Sequence, residues 1–363
     1  MKSITTSSPA KVILFGEHAV VHGAQAVVAS LDLNVKATIQ SVSGTSQKHP
    51  AFIQNIVEIF VAKYKKDTQN LQFILESTIP IGCCLGSSAA TACAIFKGLL
   101  QYFDIAYSQQ DLFTLVQESE KFAHGNPSGI DATAVVYEGV LEFQKKDGKF
   151  YSSQIKTTAF EKEWFFLIQS GKPKETTKKM IEKVQKLLDS NPSKKDVLKN
   201  IGIVSQQVIT DLKNNQFNQK NITKNEVLLE ELEVVGDIAK NMITKIVSIG
   251  GYAKVTGGAG YQKGSGMLLA YHPKPEMLEK LIQENNWKYY KETNLVVNAP
   301  DLQNTAYSKP HQELGKKNVP KSVAFIETCY KHFLKKYPQT HGILVSTKSD
   351  FSSQFGFGSS SAV

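Results

Sequence analysis

The sequence predicts an α+β fold made of two halves. Strand patterns alternate with helical patterns over the first 170 residues or so, and the stretch from about 173 to 247 is mostly helical. A glycine-rich segment flanked by two strand-like stretches follows it. The chain has 363 residues, of which 41% are apolar and 21% are charged. This composition supports a buried core and excludes wholesale disorder. We place the boundary between the halves near residue 160.

In the first half, the pattern of apolar residues predicts short strands and amphipathic helices in turn. Residues 11–15 form an apolar strand that ends at Gly16, and residues 26–40 are typical of a strand, a turn and a second strand. Apolar residues at helical spacing predict a helix over 51–64, and a strand follows at 71–78. From Ser87 onward, small and apolar residues predict a buried helix.

The remaining elements continue the alternation into the second half. We predict a helix at 109–123, a β-rich stretch at 133–144 and a strand at 164–169. Beyond the helical region, residues 275–286 predict a helix and residues 287–297 a strand.

Composition narrows the classes of function. No apolar run approaches the ~18 residues that a membrane helix needs, and the N-terminus lacks the apolar stretch of a secretory signal. The four cysteines form no CxxC pair, so we expect a reduced, cytoplasmic protein. A net charge of +9 favours anionic partners. The lysines are scattered without an accompanying aromatic surface pattern, so we expect neither a nucleic-acid nor a membrane partner.

The first candidate site is the glycine- and serine-rich segment from Gly82 to Ala90, where a loop enters a helix. Such a turn leaves backbone N–H groups pointing outward, and the helix dipole makes the place attractive to anions. The serine hydroxyls can bind phosphate or Mg²⁺. The alternative is an ordinary serine cap on a helix. The chain contains neither GxxxxGK[ST] nor GxGxxG.

The second candidate is the segment from His124 to Asp131, in which glycine and proline predict a rigid turn before a carboxylate. Asp131 can act as a base or orient a substrate hydroxyl; the alternative is an aspartate that caps the next element. Glu120 lies eleven positions before Asp131, near the end of a predicted helix. It can be a metal ligand or, alternatively, a surface acid.

Two more segments complete the candidate site. The dense glycines of Lys254–Gly260 predict close backbone approach to another group, or alternatively a flexible hairpin. In the segment Lys11–Gly23, Lys11 begins a strand and can neutralise phosphate charge, while Glu17 and His18 follow the end of that strand. The histidines there can also be ordinary polar loop residues.

These four segments, in this order, resemble the motifs of the GHMP small-molecule kinase family. SPAKVILFGEHAVVHG is similar to the first motif, IPIGCCLGSSAATA to the second and KVTGGAG to the third, and HGNPSGID is similar to the segment that carries the catalytic aspartate. The resemblance implies a ribosomal-S5-like N-terminal domain and a ferredoxin-like C-terminal domain, with the site in the cleft between them. We assign these domains to residues 1–160 and 161–305.

The resemblance also implies roles for individual residues. Asp131 and Lys11 match the catalytic pair, and Ser88 and Glu120 match the Mg²⁺ ligands. Glu17, His18 and Thr256 match the side of the site that holds the acceptor. The residues that match the ATP-binding cradle are Pro80, Gly82, Leu85, Gly86, Ser87, Ser88, Ala89, Gly257, Gly258 and Gly260. Cys84 departs from the family pattern, because a glycine is usual at its position.

The activity implied by the resemblance is ATP- and Mg²⁺-dependent phosphorylation of an alcohol. The GEHAVVHG wording favours mevalonate as the acceptor over galactose. Phosphomevalonate, another mevalonate-derived acid and homoserine are the alternative acceptors, and a catalytically weak nucleotide-binding scaffold is an alternative of another class. A homodimer is left open.

The C-terminal stretch shows an internal repeat. FIETCYKHFLKKY (325–337) lines up with FIQNIVEIFVAKY (52–64), and GFGSSSAV resembles the glycine–serine loop of the second motif. Residues 306–363 therefore resemble part of a second GHMP unit. No counterpart of the first motif precedes them, so we expect this unit to be non-catalytic.

Overall fold

The computed structural model describes most of the chain. It covers residues 2–43, 49–80, 82–125, 127–157, 159–160 and 165–291, together with three short strands at 294–299, 305–310 and 344–346. The chain divides into two compact units, Met1–Tyr290 and Lys291–Val363. The division of the first 305 residues near position 160 stays a prediction.

The first part of the larger unit is built on an antiparallel sheet of five strands, in the order β1-β2-β4-β5 with β3 also paired to β2. The strands are β1 Ser3–Phe15, β2 Gln25–Ser41, β3 Leu71–Ser77, β4 Val140–Lys146 and β5 Lys149–Gln154. β2 is 17 residues long. One edge of β2 pairs with β1, whereas its other edge is shared between β4 near the start and β3 near the end.

Four helices accompany this sheet: α1 Ala51–Tyr64, α2 Ser87–Tyr102, α3 Gln109–His124 and α4 Ile130–Tyr137. α2 contributes the largest number of buried residues, ten of its sixteen. Alanines at 89, 90, 92 and 94 let the helix approach the sheet closely, and α2 contacts both β1 and β2. The start of α2 is therefore held at the end of a rigid core element.

The rest of the larger unit is a four-stranded sheet, in the order β7-β8-β6-β9, with helices around it. The strands are β6 Phe165–Gly171, β7 Tyr252–Val255, β8 Gly266–Tyr271 and β9 Tyr289–Lys291. The helices are α5 Thr177–Ser190, α6 Lys194–Lys213, α7 Lys220–Glu231, α8 Asp237–Ser248 and α9 Pro275–Glu284. All six residues of β8 are buried. A strand buried on both faces needs a continuous apolar run, and Met267–Ala270 supplies it.

The smaller unit is described by three strands: β10 Asn294–Ala299, β11 Thr305–Pro310 and β12 Leu344–Ser346. Their order is β11-β10-β12, with β10 antiparallel to β11 and parallel to β12. The helix predicted by the repeat at 325–337 and the glycine–serine loop at the C-terminus lie outside the described residues, so the assignment of 306–363 as a partial second unit stays a prediction.

Most sequence-based elements are present where the periodicity places them. The helix expected over 51–64 is α1, the buried helix from Ser87 is α2, and the region 173–247 consists mostly of α5 to α8. In the part of the chain that the structure describes, no helix is long and apolar enough to span a bilayer.

Two predicted elements are wrong. The expected turn within 26–40 does not form: β2 is continuous, and the pairing with β1 jumps from Pro9–Asn34 to Ala10–Leu31. Asp32 and Leu33 are thus accommodated as a bulge, which uses turn-like residues without reversing the chain. Residues 133–137 belong to α4 rather than to a β-rich stretch. Burial of this valine-rich segment outweighs the strand preference of its side chains.

Candidate active site

The centre of the candidate site is an ion pair between Lys11 and Asp131. The Nζ atom of Lys11 lies 2.6 Å from Oδ1 of Asp131. Lys11 projects from β1 and its side chain is 95% buried, whereas Asp131, in the first turn of α4, keeps about a third of its side chain exposed. The pair therefore presents a carboxylate to solvent with a cation fixed behind it.

The glycine–serine loop lies directly beside this pair. The backbone N–H of Lys11 donates to the Leu85 carbonyl (3.0 Å), which joins β1 to the loop. Gly86 caps α2 with φ +70°, and its backbone is so close to Lys11 that an added Cβ would lie 2.8 Å from the Cγ atom of Lys11. The lysine side chain is thus held along the loop toward Asp131.

The start of α2 has the geometry expected of an anion site, and its binding role stays a prediction. The first intrahelical bond there runs from the Ala90 N–H to the Gly86 carbonyl (2.9 Å). The N–H groups of Ser87, Ser88 and Ala89 precede that bond, so they lie at the positive end of the helix dipole. This geometry suits the phosphates of a nucleotide.

Glu120 faces this helix start from the last turn of α3. Its side chain is 1% exposed, and neither of its carboxylate oxygens has a hydrogen-bond partner. Burial raises the pKa of Glu120 to about 7, and the negative charge of Asp131 adds to the effect. Across from it, the Ser88 hydroxyl lies 3.3 Å from Nε2 of His124. Two unsatisfied buried oxygens beside a hydroxyl are what a divalent cation would satisfy.

The third glycine segment packs against the loop through Cys84. Cys84 has φ +61°, which is the conformation that makes glycine usual at this position. Its Cβ lies 3.0 Å from where a Cβ on Gly257 would be. Burial raises the pKa of this thiol. The dense glycines therefore serve close approach, not a flexible hairpin.

Three residues predicted on the acceptor side are largely occupied by protein contacts. The Thr256 hydroxyl donates to the Ile13 carbonyl (2.8 Å), and the buried carboxylate of Glu17 pairs with Lys254. His18 is buried at φ +60°, and burial lowers the pKa of its ring to about 4, so the ring is neutral at pH 7. Nε2 of His18 is buried and has no hydrogen-bond partner. The acceptor roles of these residues stay predictions.

Several residues of the site are missing from the sequence-based set. The exposed side chain of Lys172, just after β6, lies over Gly82: a Cβ there would be 2.7 Å from Cε of Lys172. The surroundings of Glu17 include Asn225 and Glu226 as well as Lys254. Asn225 and Glu226 occupy the same face of α7 as buried Ile222 and Leu229, so polar residues inside an apolar helical stripe are the signal that could have found them. No sequence signal marks Lys172.

The comparisons with known proteins agree with this arrangement. Residues 51–139, which include the loop, α2, α3 and Asp131, match the GHMP kinases N terminal domain family. The chain is 29% identical to a mevalonate kinase of Archaeoglobus fulgidus over 267 residues, which covers 70% of this chain and 88% of the relative. The protein is thus a small-molecule kinase, a phosphotransferase that acts on an alcohol group. Its residues 51–139 carry the sequence pattern of the GHMP kinases N terminal domain.

Solved structures give the same fold. The mevalonate kinase of Methanococcus jannaschii superposes with a TM-score of 0.68 at 22% identity, covering 80% of this chain and 98% of that one. The L. major mevalonate kinase in complex with R-mevalonate superposes with a TM-score of 0.67 at 20% identity, covering 80% and 95%. At these identities the likeness establishes the α+β fold of the family.

Gly86→Ala tests whether the loop positions the lysine. The new methyl group would meet Cγ of Lys11 and pay for a positive φ, so we expect turnover to fall at least about tenfold while the protein stays folded. Gly148→Ala is the matched control, since Gly148 also has a positive φ but nothing within 4 Å of an added Cβ. Steady-state rates of the two variants decide the matter; equal losses would mean that backbone strain is the cause.

Glu226→Gln tests the protonation of the buried cluster. Burial raises the pKa of Glu226 to about 7 from 4.5, so the folded state binds this proton more tightly than the unfolded state does. Stability is therefore lost as pH rises from about 4.5 through 7, and the glutamine variant should escape that loss. We expect it to gain on the order of 2 kcal/mol relative to wild type between pH 5 and pH 8 in urea unfolding.

The control for this measurement is Glu142→Gln. The pKa of Glu142 is lowered through its contacts with Lys213 and Ser153, which outweigh its partial burial. This variant should show no relative gain in stability between pH 5 and pH 8. A Glu226→Gln variant that tracks wild type at both pH values would show that Glu226 is ionised in the fold.

Proposed function

We propose that this protein transfers the γ-phosphoryl group of ATP to the primary hydroxyl of mevalonate, with Mg²⁺, in the cytoplasm. The observation that carries the proposal is the Lys11–Asp131 ion pair beside the start of α2. Phosphoryl transfer requires mainly positioning and charge neutralisation, and this place combines a carboxylate, a buried cation and helix N–H groups.

Each protein group has a distinct task in this reaction. The N–H groups at the start of α2 and of the loop bind the phosphates, and Lys172 adds positive charge from the opposite side of Gly82. Asp131 accepts or orients the proton of the acceptor hydroxyl, which is ordinary work for a carboxylate within hydrogen-bonding reach. Lys11 balances the charge that builds up on the transferring group and fixes the position of the carboxylate.

The residues also fit a magnesium ion. Ser88 and Glu120 would hold it together with phosphate oxygens, and the ion would neutralise phosphate charge. Among the described residues no group of three histidine, cysteine or acidic side chains could hold a metal on its own. This matches the habit of Mg²⁺ in nucleotide sites, which takes few protein ligands and completes its shell with phosphate and water.

The choice of mevalonate rests on the relatives. The relative from Archaeoglobus fulgidus is named for this activity and is matched over 88% of its length. The ring of His18 is neutral and buried, and its Nε2 has no hydrogen-bond partner.

The decisive experiment is ADP release with Mg-ATP and four acceptors: mevalonate, phosphomevalonate, homoserine and galactose. We expect turnover with mevalonate. Turnover with another of the four instead would keep the phosphotransfer mechanism and replace the acceptor. Nucleotide binding without turnover on any of them would favour a non-catalytic scaffold.

Asp131→Asn tests the catalytic carboxylate. We expect turnover to fall by about 10²–10⁴-fold, because the amide cannot accept the hydroxyl proton, while ATP affinity stays near that of wild type. Steady-state kinetics and nucleotide titration measure the two quantities separately. Wild-type turnover in this variant would remove Asp131 from the mechanism.

Lys172→Gln tests the additional phosphate contact. Removing this charge should raise the KM for ATP by about tenfold or more and reduce its dependence on salt, with a smaller effect on the KM for the acceptor. Lys174→Gln is the control, because Lys174 is also exposed but is not among the atoms nearest Gly82. Equal effects of both variants would indicate a general influence of positive charge.

A further inference from the structure

Beneath the proposed acceptor side lies a group of four buried polar side chains that the reaction does not use. Glu17 follows β1, Asn225 and Glu226 belong to α7, and Lys254 lies on β7. Each of the four residues is at most 3% exposed. We call them the buried cluster. It stands where three separate segments of the chain meet.

The Glu17 carboxylate is held at both oxygens. Nζ of Lys254 donates to Oε1 of Glu17 and to the Val255 carbonyl (2.9 Å), while Nδ2 of Asn225 donates to Oε2 of Glu17 (3.2 Å). The side chains of Glu17 and Lys254 have no exposed surface at all. A carboxylate enclosed in this way cannot meet a substrate, so its effect on the site is exerted through its neighbours in the chain.

The other carboxyl of the cluster secures β7 from the helix side. Oε2 of Glu226 accepts the Val255 N–H (2.8 Å), and its Oε1 has no partner. Glu17 and Glu226 thus hold two neighbouring residues of β7, Lys254 and Val255. Because burial raises the pKa of Glu226 to about 7, this group holds a proton over much of the range in which Glu17 pairs with Lys254.

The residues attached to the cluster are the ones predicted to bind ligands. His18 follows Glu17 directly, in a strained backbone conformation. Lys254 lies on β7, and Thr256 and Gly257 follow the end of that strand. Lys254 pairs with Glu17, just past the end of β1, and Thr256 bonds to Ile13 within β1. The Glu17–Lys254 ion pair and the Thr256 hydroxyl bond are therefore two adjacent contacts that join the first and third motifs.

The energetics favour a role in positioning. A buried ion pair gains little stability over apolar side chains of similar volume, because both charges lose their hydration. The ion pair instead fixes relative position, because the Lys254 ammonium must lie at hydrogen-bonding distance from both the Glu17 carboxylate and the Val255 carbonyl. An apolar pair would allow the two segments to slide.

We propose that Lys254 is a positioning residue of the acceptor pocket: acting through the Glu17 carboxylate, it sets where His18 lies relative to Gly257 and Gly258. Only the expected change in the KM for mevalonate rests on the proposed kinase function. The placement of His18 is a property of the folded protein and can be measured without turnover.

The test replaces the ion pair by apolar side chains of similar volume, in the double variant Lys254→Met with Glu17→Leu. We expect a folded protein whose thermal midpoint is near that of wild type, since no charge is left unpaired. The KM for mevalonate should rise about 10- to 100-fold, while the KM for ATP changes by less than about twofold. If the ion pair had a purely structural role, a double variant as stable as wild type would also have the wild-type KM for mevalonate and for ATP.

A second measurement, the NMR titration of His18, does not depend on activity. In wild type, burial lowers the pKa of His18 to about 4. In the double variant we expect the His18 pKa, followed by NMR of the ring, to move up toward the ordinary value of about 6.5, because the ring gains access to water. If wild type phosphorylates none of the acceptors, the proposed function fails, and this titration still decides the positioning.

Asn225→Leu provides a milder variant. It removes one donor to Glu17 but leaves the ion pair intact, and the Oδ1 atom that it also removes has no partner. We expect a several-fold rise in the KM for mevalonate and a small upward shift of the His18 pKa. This variant decides the matter by the same two readings if the double variant does not fold. It also separates positioning from direct contact, because Glu17 itself is unchanged.

The matched control is the pair Lys97–Glu138, at 3.1 Å and far along the chain from the cluster. Lys97→Met with Glu138→Gln should leave both KM values and the His18 pKa unchanged. The proposal is overturned if the variants of the cluster keep the wild-type KM for mevalonate and His18 pKa. It is also overturned if the two KM values rise equally, since that means general loosening.

Discussion

The second half of β1 is the constraint on which the rest of the site depends. Its backbone is joined to the loop before α2 through Lys11 and Leu85, and to the third glycine segment through Ile13 and Thr256. The buried Lys11 ammonium reaches Asp131 on α4. Because β1 is paired to β2 from Ser3 to Phe15, it gives the loop before α2, the third glycine segment and Asp131 a common support.

Local patterns predicted much of this architecture from the sequence. Helical spacing is a short-range property, so α1, α2 and α3 were predictable within a few residues. The loop-to-helix geometry of Gly82–Ala90 was predictable from its glycines and serines. The errors lie where tertiary contacts override local preference: the bulge at Asp32 and Leu33 and the valine-rich end of α4.

The contacts of the site that were missed are long-range ones. Glu17 and Lys254 are 237 positions apart, and nothing in either local sequence indicates that they pair. Lys172, just after a strand of the other sheet, reaches Gly82. The ion pair of Lys11 and Asp131 was named through the family resemblance. The burial of this pair, and that of the Glu120 carboxylate, are visible in the three-dimensional structure alone.

The side chain of Cys84 has a consequence for how the phosphate loop and the third glycine segment stay together. Its Cβ lies 3.0 Å from where a Cβ on Gly257 would be, and its Sγ lies 3.8 Å from where a Cβ on Gly266 would be. A glycine at position 84 would relieve the strain of the positive φ but would leave this space unfilled. The residue that departs from the family pattern thus fills the space between the two segments at a cost in backbone strain.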